Sequence, residues 1–161
     1  MKYLIIFFLL ISSLGFSQEI EDLLKSRKFV IEASKITDDE GNANAASRKL
    51  CFILIDTTRI IVQWMANCDN NGLGGITLDG EIESFILSTN KSEKETQHLL
   101  DMACNMDDGR VKSEIKVEIY DRSHANATLS NQTTSIFIPE QMKFLGRLVP
   151  LQDSNVIIGS E

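Results

Sequence analysis

The chain has 161 residues and a net charge of −7, with 16 lysines and arginines against 23 aspartates and glutamates. An acidic chain repels the phosphates of nucleic acids and of anionic membranes, and no basic cluster reverses this locally, so no nucleic acid partner is expected. This length suffices for one domain with its own hydrophobic core.

Residues 1–17 have the layout of a secretory signal peptide. A short basic region at Lys2 precedes the apolar run 3–14, and small residues then occupy the −3 and −1 positions of a cleavage site before Gln18. The apolar run is shorter than the roughly 20 residues that span a membrane. We therefore predict an exported protein, periplasmic or extracellular, with one mature domain over 18–161 and no stable membrane insertion after signal cleavage.

The start of the mature chain predicts a short helix followed by a strand and a loop. Residues 18–26 (QEIEDLLKS) carry acids in the first helical turn, where they interact favourably with the helix dipole. The β-branched and aromatic residues of KFVIEASKI, from Lys28, indicate a strand. The small and polar residues of Thr37–Ser47 predict a loop.

Two apolar strands are predicted next, joined by a hairpin at Asp56–Arg59. Both halves of KLCFILIDTTRIIVQWM are apolar on both faces, so we expect these strands to be covered from both sides. The terminal helix is one candidate cover, and the opposite sheet of a sandwich or barrel is the other. Trp64, the only tryptophan, lies among apolar residues here, which favours core packing over a role as a ligand platform.

Four of the nine glycines lie in NNGLGGITLDG, Asn70–Gly80. A phosphate-binding loop continues into Lys-Ser/Thr and a helix, whereas strand-like residues without a lysine follow here. The oxygens of Asp69, Asn71 and Asp79 leave a calcium loop open, although no glutamate occupies the twelfth position. The favoured interpretation is a turn into a strand, in which glycine allows positive φ or a close approach of the backbone.

The apolar residues of Thr96–Met106 fit one face of a helix and the alternation of a strand equally well. The turn sequence that follows this segment decides between the two. Asp108-Gly109 is a strong signal for a two-residue hairpin loop with a type I′ turn. The register that follows pairs apolar residues on one face and polar or opposite charges on the other, as cross-strand pairing favours, so we predict a strand. The predicted partners are Leu100 with Val117, Met102 with Ile115, Asp101 with Lys116, and Asn105 with Lys112.

Further strands complete an antiparallel sheet. Lys112–Tyr120 alternates cleanly, and a three-residue loop at Arg122–His124 then places alternate residues of 125–129 on the same inward face. MKFLGRLVPL supplies a last strand ending at Pro150, which cannot donate a ladder hydrogen bond. The predicted fold class is mainly β, an antiparallel sheet forming a small sandwich or barrel, with a short N-terminal helix after the signal peptide.

Few residues in the chain carry chemistry. His98 and His124 lie outside any spacing that predicts a catalytic triad or a zinc site. The three cysteines, Cys51, Cys68 and Cys104, allow at most one intramolecular disulfide in an exported protein, and the sequence leaves open whether two of them pair. We assign no catalytic, cofactor-binding or metal-binding residue. A pair of catalytic carboxylates stays open, because such partners meet only in the fold.

Several stretches, taken together, resemble a known family. GFSQ ends the export signal, LLKSRKFVIEA follows it, GLGGITLDGEI lies in mid-chain, and ANATLSNQ and MKFLGRLVPLQDSNVI come later. In order and spacing they are similar to the exported family known as domain of unknown function 4251, typical of Bacteroidota, over nearly the whole mature chain. The resemblance implies export and this fold class, and it supplies no catalytic residues.

The first hypothesis is a non-enzymatic β domain of the periplasm or cell exterior. Its partner would be an unknown envelope protein or ligand: a protein, a glycan or a small molecule, with no cofactor. The alternatives are a hydrolase whose site is assembled only in the fold, and a structural component of the envelope. A histidine within hydrogen-bond reach of an acid inside a deep pocket would favour the hydrolase, and self-association into a regular polymer would favour the structural role.

Overall fold

Eight antiparallel strands close into a barrel, with one short helix on the N-terminal side. The prediction of a mainly β domain is confirmed, and of the two architectures left open the barrel is the one observed. The predicted signal peptide, 1–17, lies outside the described residues. The computed structural model describes residues 18–38, 43–45, 51–65, 75–92, 95–132 and 138–156.

The strands follow one another around the barrel nearly in chain order, and the pairing of the first strand with the last closes the ring. A small additional strand, β2, extends the edge of β1 beyond the end of β3. The elements are α1 (18–26), β1 (Lys28–Asp38), β2 (Ala43–Ala45), β3 (Phe52–Asp56), β4 (Arg59–Met65), β5 (Gly75–Lys91), β6 (Thr96–Met106), β7 (Val111–Asp121), β8 (His124–Asn131), β9 (Gln141–Pro150) and the 3-10 turn η1 (Leu151–Asp153).

Alternating burial along the strands builds the barrel wall. In β7, every second residue from Val111 to Ile119 is buried and those between are exposed. β6 alternates in the same way, so the strand prediction for this segment is confirmed and the helical alternative is wrong. The predicted register is also confirmed, with Leu100 opposite Val117, Met102 opposite Ile115, Asp101 opposite Lys116, and Asn105 opposite Lys112.

The turn between β6 and β7 has the backbone that the Asp-Gly pair predicts. Asp108 and Gly109 have φ values of 54° and 82°, and the N–H of Arg110 donates to the carbonyl of Asp107 at 3.0 Å. Asp107 is also left-handed, with a φ of 51°. The paired ladder stops before Asp107, so the loop spans four residues, 107–110, and is longer than the predicted two.

The loop between β7 and β8 is shorter than predicted. It contains Arg122 and Ser123 only, because His124 pairs with Asp121 after an irregularity in the ladder. The carboxylate of Asp121 accepts hydrogen bonds from the N–H groups of Ser123 at 2.6 Å and His124 at 3.0 Å, which fixes this tight turn. Alternate residues of 125–129 nevertheless face the interior, as predicted.

The predicted loop Thr37–Ser47 is wrong in part. β1 continues to Asp38, and β2 occupies Ala43–Ala45 in antiparallel pairing with β1. The small residues here favour a loop on local grounds, but the open edge of β1 beyond β3 supplies a ladder partner. The other residues of this predicted loop lie outside the described part of the chain.

One apolar core fills the barrel, and α1 contributes to it. Ile20 and Leu24 of the helix are buried in the same cluster as the inward residues of the strands. Trp64 belongs to this cluster too, so its predicted role in core packing is confirmed. Within the described residues, no helix is long and apolar enough to cross a membrane.

The outward faces of β1, β3 and β4 carry a second apolar cluster. The opposite wall of the barrel covers the inner face of these strands, as predicted for the opposite sheet of a sandwich or barrel. Their outer face is covered by residues 151–156, which we call the C-terminal strap, and the terminal helix takes no part in this cluster. The cluster contains Val30, Phe52, Leu54 and Ile61, against which Leu151 and Val156 pack.

The glycine-rich stretch ends as a strand. Residues 75–80 open β5, as predicted, whereas 70–74 lie outside the described residues. A Cβ atom at Gly80 would lie 2.1 Å from the carbonyl oxygen of Asn105 on β6. This confirms the close backbone approach expected for a glycine here, next to the irregularity of β5 between Ile82 and Ser84.

Candidate functional site

A concave groove of about 1010 Å³ lies on the outer wall of the barrel, across β4, β5 and the start of the β6–β7 turn. Strand alternation creates it: inward residues of β4 enter the core, and those between them point outward. Cross-strand pairing then sets outward residues of β4 beside those of β5. The side chains lining the groove include Arg59 and Gln63 from β4, Thr77, Asp79 and Glu81 from β5, and Asp107 and Asp108 from the turn.

The β6–β7 turn forms one rim of the groove. The N–H of Asp107 donates to the carbonyl oxygen of Asp79 at 2.8 Å, which holds the turn against β5. Asp107 and Asp108, both with left-handed backbone, are part of the groove lining. Backbone hydrogen bonds on both sides make this rim a pre-formed surface.

An ion pair crosses the floor of the groove. Arg59 donates to both carboxylate oxygens of Asp79, from Nε at 3.1 Å and from Nη2 at 2.5 Å. These hydrogen bonds lower the pKa of Asp79 and raise the pKa of Arg59. Both side chains are at least half exposed, so the pair contributes little to folding, and its main effect is to hold the two groups in one orientation.

The groove is negative overall. Among the described residues that line it, Arg59 is the only cation, and Asp79 already neutralises it. Glu81, Asp107 and Asp108 add three further carboxylates to the lining. A concave surface lined by charges of one sign concentrates the potential, so the groove attracts cationic groups.

Of the three residues that could form the predicted calcium loop, only Asp79 belongs to the described part of the chain. That residue lies in β5, with its carboxylate bound by Arg59. Asp69 and Asn71 lie outside the described residues, so the loop itself stays a prediction. Within the described part of the chain, no three His, Cys, Asp or Glu side chains converge on a metal position.

The two histidines lie apart from each other and from the groove. His98 is 1% exposed on the inner face of β6, and its Nδ1 is 3.1 Å from the hydroxyl of Thr89. Its Nε2 has no hydrogen-bond partner, and burial lowers its pKa. His124 lies 2.7 Å from Asp121, but both side chains are exposed on the β7–β8 turn. Neither histidine combines an acid partner with a deep pocket.

The cysteines differ in state. Cys51 is disulfide-bonded, which answers the question that the sequence left open for this residue. Cys104 is free and buried, and burial raises the pKa of its thiol to about 12. At neutral pH that thiol is protonated, and a protonated thiol is a poor nucleophile. Cys68 lies outside the described residues.

Sequence reasoning did not single out the residues of the groove, apart from Asp79. A weak signal was present in β5, where Thr77 and Glu81 alternate with Leu78 and Ile82, but not in β4, where Arg59 and Gln63 are separated by three apolar residues. Alternation alone predicts that such side chains face outward. It does not predict that β4 and β5 pair in the register that joins the two sets, or that the β6–β7 turn folds beside them.

Comparison with known proteins supports the fold. No protein-family model matches the chain, and no curated protein matches it either. Among solved structures, the barrel is similar to the crystal structure of a DUF4251 family protein from Bacteroides eggerthii DSM 20697. The TM-score is 0.67 at 22% sequence identity, over 89% of this chain and 92% of that chain. At this identity the likeness establishes the fold and carries no residue roles. The predicted likeness to domain of unknown function 4251 is therefore confirmed at the level of the fold, which this chain shares with a solved member of that family.

Proposed function

We propose that this chain is an exported, non-enzymatic binding domain of the cell envelope, and that the outer groove receives its partner, a protein, glycan or small ligand. The groove is the observation that carries the proposal. Two paired strands and a hydrogen-bonded turn form it, and hydrogen-bonding side chains line it. Pre-formed concave surfaces with a few fixed polar groups are the usual sites of ligand binding.

Two features of the chain support export. Residues 1–17 have the order of basic, apolar and small residues that signal peptides share. Cys51 is disulfide-bonded, and such bonds form and persist in oxidising compartments outside the cytosol. N-terminal sequencing of the exported protein tests the proposal. We expect the mature chain to begin at or near Gln18, and a mass that still includes residues 1–17 would contradict cleavage.

The charge of the groove indicates the chemistry of the partner. Three carboxylates remain once Arg59 and Asp79 are paired, so ammonium or guanidinium groups on the partner would be attracted. A basic protein segment and an amino sugar both present such groups. Among the described residues that line the groove there is no aromatic side chain, so stacking contributes nothing there.

A binding role agrees with where the reactive groups lie. His98 and Cys104 face the interior of the barrel. His124 lies at the far end of β7 from the turn that rims the groove. The described residues that line the groove include carboxylates, an arginine, amides and the hydroxyls of Thr58 and Thr77, but no histidine or cysteine. The proposal of binding without catalysis rests on this placement.

Titration of the exported protein with an oligolysine peptide and with a glucosamine oligomer, followed by amide NMR shifts, tests the site. The fully acetylated form of each probe is the control for charge. We expect shifts around β4, β5 and the β6–β7 turn that weaken with salt and with acetylation. Asp108→Asn should weaken binding, whereas Glu114→Asn, on the exposed outer face of β7, should not. Shifts confined to other faces, or insensitivity to Asp108→Asn, would contradict the proposal.

A further inference from the structure

The groove and the C-terminal strap are neighbours on the outer wall of the barrel. Ile61 of β4 belongs to both regions. It is one of the residues that line the groove, and it is a member of the outer apolar cluster against which Leu151 and Val156 of the strap pack. The groove continues from β4 toward β5 and the β6–β7 turn, whereas the strap covers β1, β3 and β4. The strap therefore borders the groove on the side away from the turn.

One row of outward side chains runs from beneath the strap to the rim of the groove. Val30 of β1 is paired with Leu54 of β3, and Leu54 in turn with Ile61 of β4. Ile61 is paired with Asp79 of β5, and the N–H of Asp107 donates to the carbonyl oxygen of Asp79. Neighbouring strands lie about 4.8 Å apart, so Leu54 and Ile61 are roughly 10–14 Å from the carboxylate rim.

The apolar part of this row is hidden. Val30, Leu54 and Ile61 are 4% exposed or less, although they point away from the core of the barrel. The residues of the strap that pack against this cluster, Leu151 and Val156, are themselves only partly buried. An apolar surface therefore continues from the floor of the groove beneath a cover that is one segment thick.

Few contacts hold the strap on the barrel. The N–H of Ser154 donates to the carbonyl oxygen of Leu151 at 3.3 Å, and the N–H of Val156 donates to Ser154 Oγ at 3.2 Å, so both hydrogen bonds are internal to the strap. Among the described residues, one hydrogen bond joins it to the barrel, from the Ser154 hydroxyl to Glu32 Oε1 at 3.1 Å. In the same part of the chain no strand pairs with it. Displacement of the strap therefore breaks no strand pairing.

We propose that the strap is a displaceable cover, and that the partner of the groove is an extended protein segment with a basic residue and an apolar residue four positions apart. This inference rests on the function proposed above and specifies the partner. The basic residue binds the carboxylates of Asp107 and Asp108, and the apolar side chain replaces the strap over Leu54 and Ile61. Residues four apart in an extended segment project to the same side and lie about 13 Å apart, which matches the row.

The strap makes the groove selective among basic segments. A segment with basic residues alone binds the carboxylate rim while the strap stays in place. A segment that also carries the apolar residue gains the burial of that side chain, but it binds only the form with the strap displaced. Its apparent affinity is therefore reduced by the fraction of molecules in that form.

Titration of the exported protein with end-blocked peptides, followed by amide NMR shifts, tests the partner. We expect Lys-Lys-Ser-Ser-Leu-Leu to bind about tenfold more tightly than Lys-Lys-Ser-Ser-Ser-Ser, which has the same charge. The permuted peptide Lys-Lys-Leu-Leu-Ser-Ser should bind more weakly than the first, because no leucine lies four positions after a lysine. The first peptide should shift the amides of the strap as well as those around the turn, and the serine peptide only the latter.

Ser154→Ala tests the cover. It removes the hydrogen bond to Glu32 that holds the strap, so the form with the strap displaced becomes more populated. The affinity for the first peptide should rise about fivefold, and the affinity for the serine peptide should not change. Ser88→Ala, the same substitution on the exposed outer face of β5, is the matched control and should leave both affinities unchanged.

The outcomes separate this inference from the proposed function. Equal affinity for the first peptide and the serine peptide, shifts around the groove that leave the strap unaffected, or a Ser154→Ala variant that binds no more tightly would each overturn the displaceable cover, while the groove would remain a binding site. No shift around the groove with any of the three peptides would overturn the binding of basic segments there, and this inference with it.

Discussion

Replacing Arg147 with alanine would isolate a buried carboxylate. Glu32 points away from the core of the barrel, yet it is only 2% exposed because the C-terminal strap lies over it. Arg147, its cross-strand neighbour, donates to Glu32 Oε2 from Nε at 2.8 Å and from a terminal nitrogen at 2.7 Å. Ser154 of the strap donates to Oε1 at 3.1 Å. Both carboxylate oxygens are therefore occupied.

The size of the loss follows from which partner is buried. Removing one member of a fully buried pair costs about 3–5 kcal/mol, since it leaves a charge without compensation. Here the Arg147 side chain is 42% exposed, so water reaches its position, and Ser154 still donates to Glu32. We therefore expect Arg147→Ala to lower the free energy of unfolding by about 2–3 kcal/mol, at or below the lower limit of that range.

The double variant gives the decisive comparison. Glu32→Ala leaves Arg147 free to bind water, so it should cost less than Arg147→Ala, about 1–2 kcal/mol. Glu32→Ala/Arg147→Ala contains no buried charge, so it should be more stable than Arg147→Ala alone. If adding Glu32→Ala to Arg147→Ala restores stability, the loss in Arg147→Ala came from the uncompensated charge of Glu32. If the loss came from packing alone, the free-energy changes of the two substitutions would simply add.

Urea unfolding of the four proteins measures these values, provided that the m-values agree. The Arg59–Asp79 pair is the control, with two-point contact of the same kind on an exposed surface. Arg59→Ala should cost well under about 1 kcal/mol. The reasoning would be refuted if Arg147→Ala cost no more than Arg59→Ala, or if the effects of the Glu32 and Arg147 substitutions were additive.

Three further predictions concern single positions. Gly109 has a φ of 82°, and a Cβ added there would have no atom within 4 Å, so backbone strain alone should make Gly109→Val cost about 1–3 kcal/mol, and Gly109→Asn much less; equal losses in chemical denaturation would contradict this. Burial lowers the pKa of His98 in the folded state, so its contribution to stability is complete above about pH 6.5 and is lost as the pH falls toward the folded-state pKa. The melting temperature should therefore fall more steeply below that pH than in His98→Gln, and parallel curves would exclude His98 as the cause. Because Cys51 is disulfide-bonded, reduction should lower the stability of the protein by about 2–4 kcal/mol and leave that of Cys51→Ser unchanged; a melting temperature insensitive to reductant would show that the bond is absent.

Local signals in the sequence account for much of the wall of the barrel. The Asp108-Gly109 turn predicted the register of β6 and β7, and each predicted cross-strand pair is observed in the structure. The same turn resolved Thr96–Met106, which periodicity alone left ambiguous. Each of these inferences needed only residues close together in the chain, where turn chemistry and side-chain alternation act directly.

Features that depend on distant partners were not predictable in this way. In the sequence, Glu32 resembles any outward-facing charge of a strand. It is buried because it contacts Arg147 and Ser154 of the strap, which lie 115 and 122 residues further along the chain. The groove depends on how far β4 and β5 overlap. That overlap is set by the whole closed ring, and it leaves no mark in a short window of sequence.

The closure of the ring by β1 and β9 bears on how the chain reaches its native state. β1 is the first strand to be synthesised, and one of its two edges pairs with the last strand, β9. Until β9 is available, β1 and β8 each keep an unpaired edge, and the entropy of the long intervening loop opposes closure. Topologies dominated by such distant pairings fold slowly. A nascent fragment of this barrel therefore has no complete structure to adopt before β9 is available, and an unfolded chain of this kind is what the proposed export would require.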